Sequence, residues 1–256
     1  MLSDFFKGLG AYSKAFSLVS ELRLWKFLLL PGVVGLGLAL MIGGTAWTFY
    51  APLAAFLFSF LPDFGGQFLI HLTNVISGLL IVSMGILVFK HLLMVLVSPF
   101  MSPLSERVEK HLTGMPGRRG TAFPQVMKDL MRGLRIAFRN IFREILWSIP
   151  LLILSLIPGV GIIGAVGLFL VQAFYAGFGN IDYTLERHYN VSGSVRFVRQ
   201  NRGLALGNGT PFVLLLSTGI GAFIAPPLAT IAATVETVKR LGTPMAPLEI
   251  EKTEYV

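Results

Sequence analysis

Long apolar runs separated by basic segments dominate the pattern along the chain. The runs lack the alternation of polar and apolar positions that a membrane-spanning strand shows, so they predict helices. The first, from about Leu24 to Tyr50, and the second, from about Gln67 to Phe89, can each cross a hydrocarbon core of ~30 Å. We predict two long transmembrane helices, the second continuing beyond the membrane until Gly114 and Pro116 end it.

Two shorter pairs of apolar arms follow, and each pair has helix-breaking residues at its centre. The arm from Ile145 to Ile157 extends only ~20 Å as a helix, and the arm from Pro211 to Ile224 only ~21 Å. Both are short for a full crossing, so we predict two re-entrant hairpins that penetrate part of the bilayer. The predicted tip residues are Pro158, Gly159, Gly161, Pro226 and Pro227.

Two further segments are amphipathic. At the N-terminus, apolar residues recur at spacings of three and four, which predicts an interfacial helix capped by Ser3 or Asp4. From Phe123 to Glu144, a second amphipathic helix carries five cations along one stripe. These are Lys128, Arg132, Arg135, Arg139 and Arg143. The stripe either contacts lipid headgroups or attracts anions towards a pore.

Composition and charge agree with a membrane protein. The 256 residues are 54% hydrophobic and 13% charged, whereas a soluble domain has about 25% charged residues. The net charge of +8 lies beside the apolar runs, which favours contact with anionic lipid over nucleic acid. The basic segments share one side if both hairpins return to it, which places both termini in the cytoplasm and the lysine-free and arginine-free segment 51–66 on the other side.

Catalytic patterns are scarce in the sequence. There is no cysteine, and the four histidines show no metal-ligand spacing. No Walker-type loop is present. Asp63, Asp129 and Asp182 lie outside the apolar cores, and Ser77 and Ser83 have no base beside them. We therefore expect a protein that is not an enzyme and that uses no metal or cofactor.

Arg23 and Lys26 stand at the threshold of the first long helix, about one helical turn apart. Their cations, joined by the backbone amides of Leu22 to Leu24, could surround a tetrahedral oxyanion. The alternative is that both side chains anchor the helix among lipid headgroups. Cations at the mouth of a cavity lined by half-helices would make it selective for anions.

Three stretches of the sequence resemble the CysZ-type sulfate permease family, which also includes the eukaryotic etoposide-induced relatives. They are LVSELRLWKFLLLPG at 18–32, VSPFMSPLSERVEKHLTG at 97–114, and the hairpin pair with IPGVG at 157–161, DYTLERH at 182–188 and FIAPPLATIAATV at 223–235. The similarity runs in order through nearly the whole chain up to about Leu241, and the second stretch is the most specific.

The resemblance implies an oligomer of two long membrane helices and two partly penetrating hairpins that brings sulfate into the cell for cysteine synthesis. It places 1–241 in one membrane domain, followed by an acidic tail at 242–256 that we expect to be disordered. The family holds sulfate with an adjacent basic pair before the first long helix. The matching positions are Trp25 and Lys26, so only Lys26 carries over, and we infer that Arg23 substitutes from the preceding turn.

We therefore predict an all-helical homo-oligomer of the bacterial inner membrane that conducts sulfate or a related oxyanion as a permease or channel. The alternatives are a non-conducting scaffold of the same fold that binds lipid or a partner, and a transporter coupled to protons or sodium. Charged residues in the two most polar of these stretches are expected to form cytoplasmic ion pairs between helices or, alternatively, a gate. They are Glu106, Arg107, Glu109, Asp182, Glu186 and Arg187.

Overall fold

The computed structural model of the chain describes residues 1–58, 66–114, 123–155, 157, 160–218 and 221–242. Every regular element in these ranges is a helix, which confirms the predicted all-helical fold. The described helices are α1 (Leu2–Glu21), α2 (Lys26–Phe58), α3 (Gly66–Thr113), α4 (Phe123–Ser155), α5 (Gly161–Leu185), α6 (Val191–Gln200), α7 (Arg202–Ser217) and α8 (Gly221–Arg240). Apart from Gly242, the predicted tail lies outside the described residues, and the single-domain assignment stays a prediction.

The two long apolar runs form α2 and α3, which pack against each other. α3 has 48 residues and ends at Thr113, because Gly114 adopts a φ of 67° that stops the helix. Two described helices have stretches long and apolar enough to cross a membrane, Lys26–Phe49 in α2 and Gly161–Leu185 in α5. Most side chains of the predicted span 67–89 lie outside the described part of the structure.

The first hairpin is formed by α4 and α5. α4 is one continuous helix that contains both the predicted amphipathic segment and the first hairpin arm, with Pro150 inside it. Gly164 of α5 lies directly on the α4 backbone, since a Cβ there would be 2.7 Å from the carbonyl oxygen of Leu151. Gly161 begins α5, whereas Pro158 and Gly159 lie outside the described residues. The depth to which this hairpin enters the bilayer stays a prediction.

The second hairpin turns earlier in the chain than predicted. α7 ends at Ser217 and α8 begins at Gly221, where the hydroxyl of Thr218 accepts a hydrogen bond of 3.1 Å from the Gly221 N–H. Such a side-chain cap satisfies one of the free donors at a helix start. Pro226 and Pro227 lie inside α8, so the prediction that they form the tip is wrong. Their ring-fixed φ is compatible with helical backbone.

Small residues bring α7 into backbone contact with the helices on either side of it. A Cβ on Gly209 would overlap the carbonyl oxygen of Ala173 in α5, and one on Gly207 would overlap that of Phe5 in α1. Membrane helices use small residues for such close approach because lipid supplies little hydrophobic drive for helix association. Both contacts fix α7 between α1 and α5.

Asn208, fully buried on α7, joins three other helices by hydrogen bonds. Its amide nitrogen donates to the carbonyl of Ala229 in α8 at 2.9 Å, and its side-chain oxygen accepts from Asn180 in α5 at 3.0 Å. The hydroxyl of Tyr12 in α1 donates to the Asn208 backbone carbonyl at 2.6 Å. These bonds satisfy the polar groups of a residue that burial would otherwise penalise.

The N-terminal helix α1 packs on α7 and α8. Its N-cap is Met1, which makes no side-chain capping bond, so the prediction of a cap at Ser3 or Asp4 is wrong. Asp4 instead accepts a hydrogen bond of 2.8 Å from Arg240 at the end of α8. This contact ties the first described helix to the last and takes the carboxylate away from the α1 backbone.

Candidate functional site

The turn between α1 and α2 contains both predicted anion-binding cations. α1 ends at Glu21 and α2 begins at Lys26, with Arg23 between them. Arg23 has a φ of 50°, the one positive φ of a residue other than glycine in the described ranges. The left-handed conformation costs about 1–2 kcal/mol for such a residue. Leu24, which is 1% exposed, anchors the turn in the core and holds this conformation in place.

The backbone amides of this turn are used differently from the prediction. The N–H groups of Leu22, Arg23 and Leu24 donate to carbonyls of α1 at 3.0, 3.2 and 2.9 Å. This corrects the prediction that the amides from Leu22 to Leu24 face an anion, because closing α1 occupies all three. The next two N–H groups, of Trp25 and Lys26, have no acceptor among the described residues. They form the open N-terminus of α2.

The side chains of the turn present positive charge to solvent. Arg23 and Lys26 are exposed, and neither has a carboxylate within ion-pair distance in the described part of the chain. α3 brings another cation close, since the guanidinium carbon of Arg107 lies 5.2 Å from the centroid of the Phe27 ring. Glu21, at the end of α1, is instead paired with His111 of α3 at 3.2 Å.

A partly buried ion pair joins α3 to the segment directly after α5. The guanidinium of Arg187 contacts Glu109 Oε2 through Nη2 at 2.6 Å and Nε at 2.8 Å, and His188 Nε2 lies 2.5 Å from Glu109 Oε1. Burial alone would raise the pKa of Glu109, but the hydrogen bond from His188 and the charge of Arg187 hold that pKa below its usual 4.5. Arg187 Nη1 also donates to the Tyr183 carbonyl at 2.7 Å.

A second ion pair joins α4 to α5. The guanidinium of Arg132 donates to both carboxylate oxygens of Asp182, at 3.0 and 3.1 Å, and to the hydroxyl of Ser194 in α6 at 2.6 Å. The bidentate geometry makes this a strong and directional contact. Arg132 belongs to the basic stripe of α4, so at least one of its five cations serves inside the protein and not at the lipid surface.

Glu186 lies between these two pairs. It accepts a hydrogen bond from the hydroxyl of Ser102 in α3, and one of its carboxylate oxygens is 4.0 Å from Arg187 Nη1. Burial raises the pKa of Glu186 to about 7, with the charge of Asp182 adding to the effect. A cavity of about 60 Å³ adjoins this carboxyl. Apolar side chains line it together with the polar side chains of Ser98, Asn140, Tyr175, Asp182 and Tyr183.

Three buried hydroxyls lie beside the two ion pairs and Glu186, and together these groups form one polar network. Ser105 of α3, Thr184 of α5 and Thr234 of α8 are mutually hydrogen-bonded at 2.9 to 3.0 Å. Ser105 also accepts from Arg187 Nη2 at 2.8 Å. Sequence reasoning missed this triangle, because a hydroxyl on an apolar helix gives no local signal of the partner it meets.

Two of the six predicted charged residues lie outside this polar network. Arg107 stacks on Phe27, and Glu106 has no ion-pair partner among the described residues. The other four predicted residues belong to the polar network, and they are Glu109, Asp182, Glu186 and Arg187. Among the residues described, no group of three His, Asp or Glu side chains is arranged to hold a metal ion.

Comparison with known proteins gives a family match and close agreement in length. The family described as Sulfate transporter CysZ/Etoposide-induced protein 2.4 matches residues 11–227. Proteins named Sulfate transporter CysZ from three strains of Vibrio cholerae serotype O1 are each 26% identical to the chain over 247 residues. Each alignment covers 94% of this chain and 96% of the relative.

Proposed function

Because the chain belongs to the Sulfate transporter CysZ/Etoposide-induced protein 2.4 family, a family of transporters and not of enzymes, we propose that it carries sulfate or a related oxyanion across a membrane. In this proposal the anion binds first at the turn between α1 and α2. The relatives from Vibrio cholerae are named for sulfate transport, and their similarity extends over nearly the full length of this chain.

The geometry of the turn is the observation that carries the proposal. Arg23 is held in a left-handed conformation, and protein sites that keep such strain are often functional. Its charge and that of Lys26 have no carboxylate partner within the described ranges. The free N–H groups of Trp25 and Lys26 lie at the positive end of a 33-residue helix. Together these groups provide donors and charge suited to a tetrahedral oxyanion.

The placement of the protein follows from the same reasoning. We place it in the bacterial inner membrane as a homo-oligomer with both termini cytoplasmic. The basic segments support this orientation. Large apolar side chains of α2 are exposed in the single chain and suit contact with lipid or with a second copy, among them Leu29, Val33, Leu40 and Trp47.

Sulfate uptake by the purified protein in proteoliposomes tests the proposal. The double variant Arg23→Gln/Lys26→Gln should bind sulfate at least ~100-fold more weakly, because each charge-assisted contact contributes about 1.5–3 kcal/mol. Uptake should fall in parallel. The matched control Lys7→Gln/Lys14→Gln removes the same charge from α1 and should leave both quantities unchanged.

Two results would contradict this proposal in different ways. If the unaltered protein moves no oxyanion, with thiosulfate, sulfite and phosphate tried beside sulfate, the non-conducting scaffold becomes the better explanation. If uptake occurs but the double variant binds sulfate normally, transport stands and the binding site lies elsewhere.

A further inference from the structure

A basic groove lies on a part of the molecule that the proposed transport site does not use. It has a volume of about 450 Å³ and is bounded by α4, α5 and the junction of α6 with α7. Four guanidinium groups from three helices line it. They are Arg139 and Arg143 of α4, Arg199 of α6 and Arg202 of α7.

The positive charge of this groove is not neutralised within the described residues. Arg143, Arg199 and Arg202 form no ion pair there, and Arg139 donates only to the side chain of Asn140, at 2.8 Å. Burial lowers the pKa of Arg139, and the like charges of Arg143 and Arg199 lower it further. Such like-charge crowding is relieved when an anion binds between the guanidinium groups.

The carboxylate next to this cluster does not face the groove. Glu144 follows Arg143 in the sequence, but it is completely buried and does not contribute to the groove lining. The other polar groups of the lining are the phenol of Tyr175 and the terminal ammonium of Met1, which lies 3.8 Å from the Asp4 carboxylate. The groove therefore offers hydrogen-bond donors and positive charge to an anion, and no carboxylate in its lining competes with that anion.

The opposite wall of the groove is apolar and continues into an exposed face. Trp147, Leu170 and Phe174 line the groove beside the arginines. Beyond them, large side chains of α4 and α5 are 53 to 75% exposed in the single chain. They are Leu146, Ile149, Ile153, Ile162, Ile163 and Val166. An interfacial tryptophan between a basic cluster and an apolar face is typical of the level of lipid headgroups.

We propose that this basic groove binds the phosphate of an anionic phospholipid, whose acyl chains lie along the exposed apolar face of α4 and α5. Guanidinium groups bind phosphate oxygens in bidentate fashion, and four of them can hold more than one phosphate. A free oxyanion would use the charge but leave the apolar wall unoccupied. A lipid with two phosphates, such as cardiolipin, should therefore bind more tightly than a lipid with one.

Thermal unfolding of the full chain in detergent, with lipids added singly, tests this assignment. Cardiolipin should raise the Tm most, phosphatidylglycerol less, and phosphatidylcholine not at all. The variant Arg143→Gln/Arg199→Gln should weaken cardiolipin binding at least ~10-fold, since two charge-assisted contacts are lost. The control Arg135→Gln/Arg196→Gln changes the same two helices by the same charge at exposed positions outside the groove, and it should keep the full shift in Tm.

The remaining outcomes separate lipid from its competitors. Equal loss of the shift in both variants would mean general surface attraction and would overturn the assignment. Stabilisation by inorganic phosphate or sulfate that the groove variant alone abolishes would mark a free-anion site and would also overturn it. If Arg143→Gln/Arg199→Gln does not fold, Arg143→Lys/Arg199→Lys takes its place, because it keeps both positive charges. Native mass spectrometry of bound cardiolipin is then measured instead of the shift in Tm. Sulfate binding at Arg23 and Lys26 should be normal in all groove variants.

Discussion

Arg23 has both a left-handed backbone conformation and a charged side chain, a combination that its neighbours do not share. Its backbone is left-handed, a conformation in which glycine would be free of strain, yet its side chain supplies a charge that glycine lacks. The buried Leu24 on one side and the start of α2 on the other leave the chain little freedom at this position. The strain is therefore maintained by packing, and the charge is displayed at a fixed point.

Glu186 makes the stability of the folded protein depend on pH. Its pKa of about 7 lies above the usual 4.5 because the carboxyl is buried. Between these values the folded state binds more protons than the unfolded state, so the free energy of unfolding falls as pH rises from about 4.5 to 7. The loss should be on the order of 2–3 kcal/mol.

Thermal unfolding in detergent at pH 5 and pH 8 measures this dependence. Glu186→Gln keeps an acceptor for the Ser102 hydroxyl and should remove most of the decrease in Tm. Glu109 has a lowered pKa, so its stabilisation is fully present above about pH 4.5 and is lost only as pH falls below that value. An unchanged slope in Glu186→Gln would mean that another group titrates in this window.

The sequence predicted some of these residues and could not predict others. Arg23 and Lys26 could be named as candidates for anion binding because they stand at the edge of an apolar run, and that role stays a prediction. The partner of Asp182 was not identifiable, since Arg132 is 50 residues away and its spacing assigns it to a basic surface stripe. Local periodicity shows which face a residue occupies but not which helix that face meets.

At the level of elements, the packing of α7 depends on glycine. A Cβ at Gly209 would overlap the backbone of α5, whereas one at Gly43 in α2 would have nothing within 4 Å. Gly209→Ala should therefore lower the free energy of unfolding by about 1–3 kcal/mol through overpacking. Gly43→Ala is the matched control and should be neutral or slightly stabilising, as alanine favours helix.

Chemical denaturation of both variants in the same detergent checks this difference. Equal stability of the two would show that α5 and α7 can move apart at little cost, contrary to the contact described above. Sulfate binding serves as a second readout, because neither glycine lies near Arg23 or Lys26 in the chain.

The helices themselves were largely predictable, and the turns between them less so. The end of α3 was predicted from Gly114 and Pro116, and the helix ends at Thr113, directly before Gly114. The tip of the second hairpin did not, because Pro226 and Pro227 are a stronger sequence signal for a break than Thr218. Proline interrupts a helix only where its missing N–H or its ring is not accommodated, and that depends on the surroundings.

At the level of the whole molecule, the predicted orientation can be read by labelling, since the chain contains no cysteine. An impermeant maleimide should label Ser13→Cys and Ser192→Cys from the cytoplasmic side and Ala51→Cys from the opposite side. Val160→Cys, at the first hairpin tip, should not be labelled from the side that labels Ala51→Cys. Labelling there would mean that α4 and α5 cross the membrane fully.

Fold class and family could be predicted from the sequence because the features that indicate them extend over the whole chain. The all-helical architecture follows from long apolar runs, and the family from stretches in a fixed order. The groove between α4, α5 and the α6–α7 junction has no such signature. Its arginines form two pairs, Arg139 with Arg143 and Arg199 with Arg202, that are about 60 residues apart in the chain and come together through the first hairpin.

One short stretch of α3 touches both the turn and the polar network. Arg107 stacks on Phe27 beside Lys26, and two residues later Glu109 holds Arg187. These two α3 residues point about 160° apart around the helix axis. A small rotation of α3 would thus displace both contacts together, so the packing at the α1–α2 turn and the ion pair of the polar network depend on the same turn of α3.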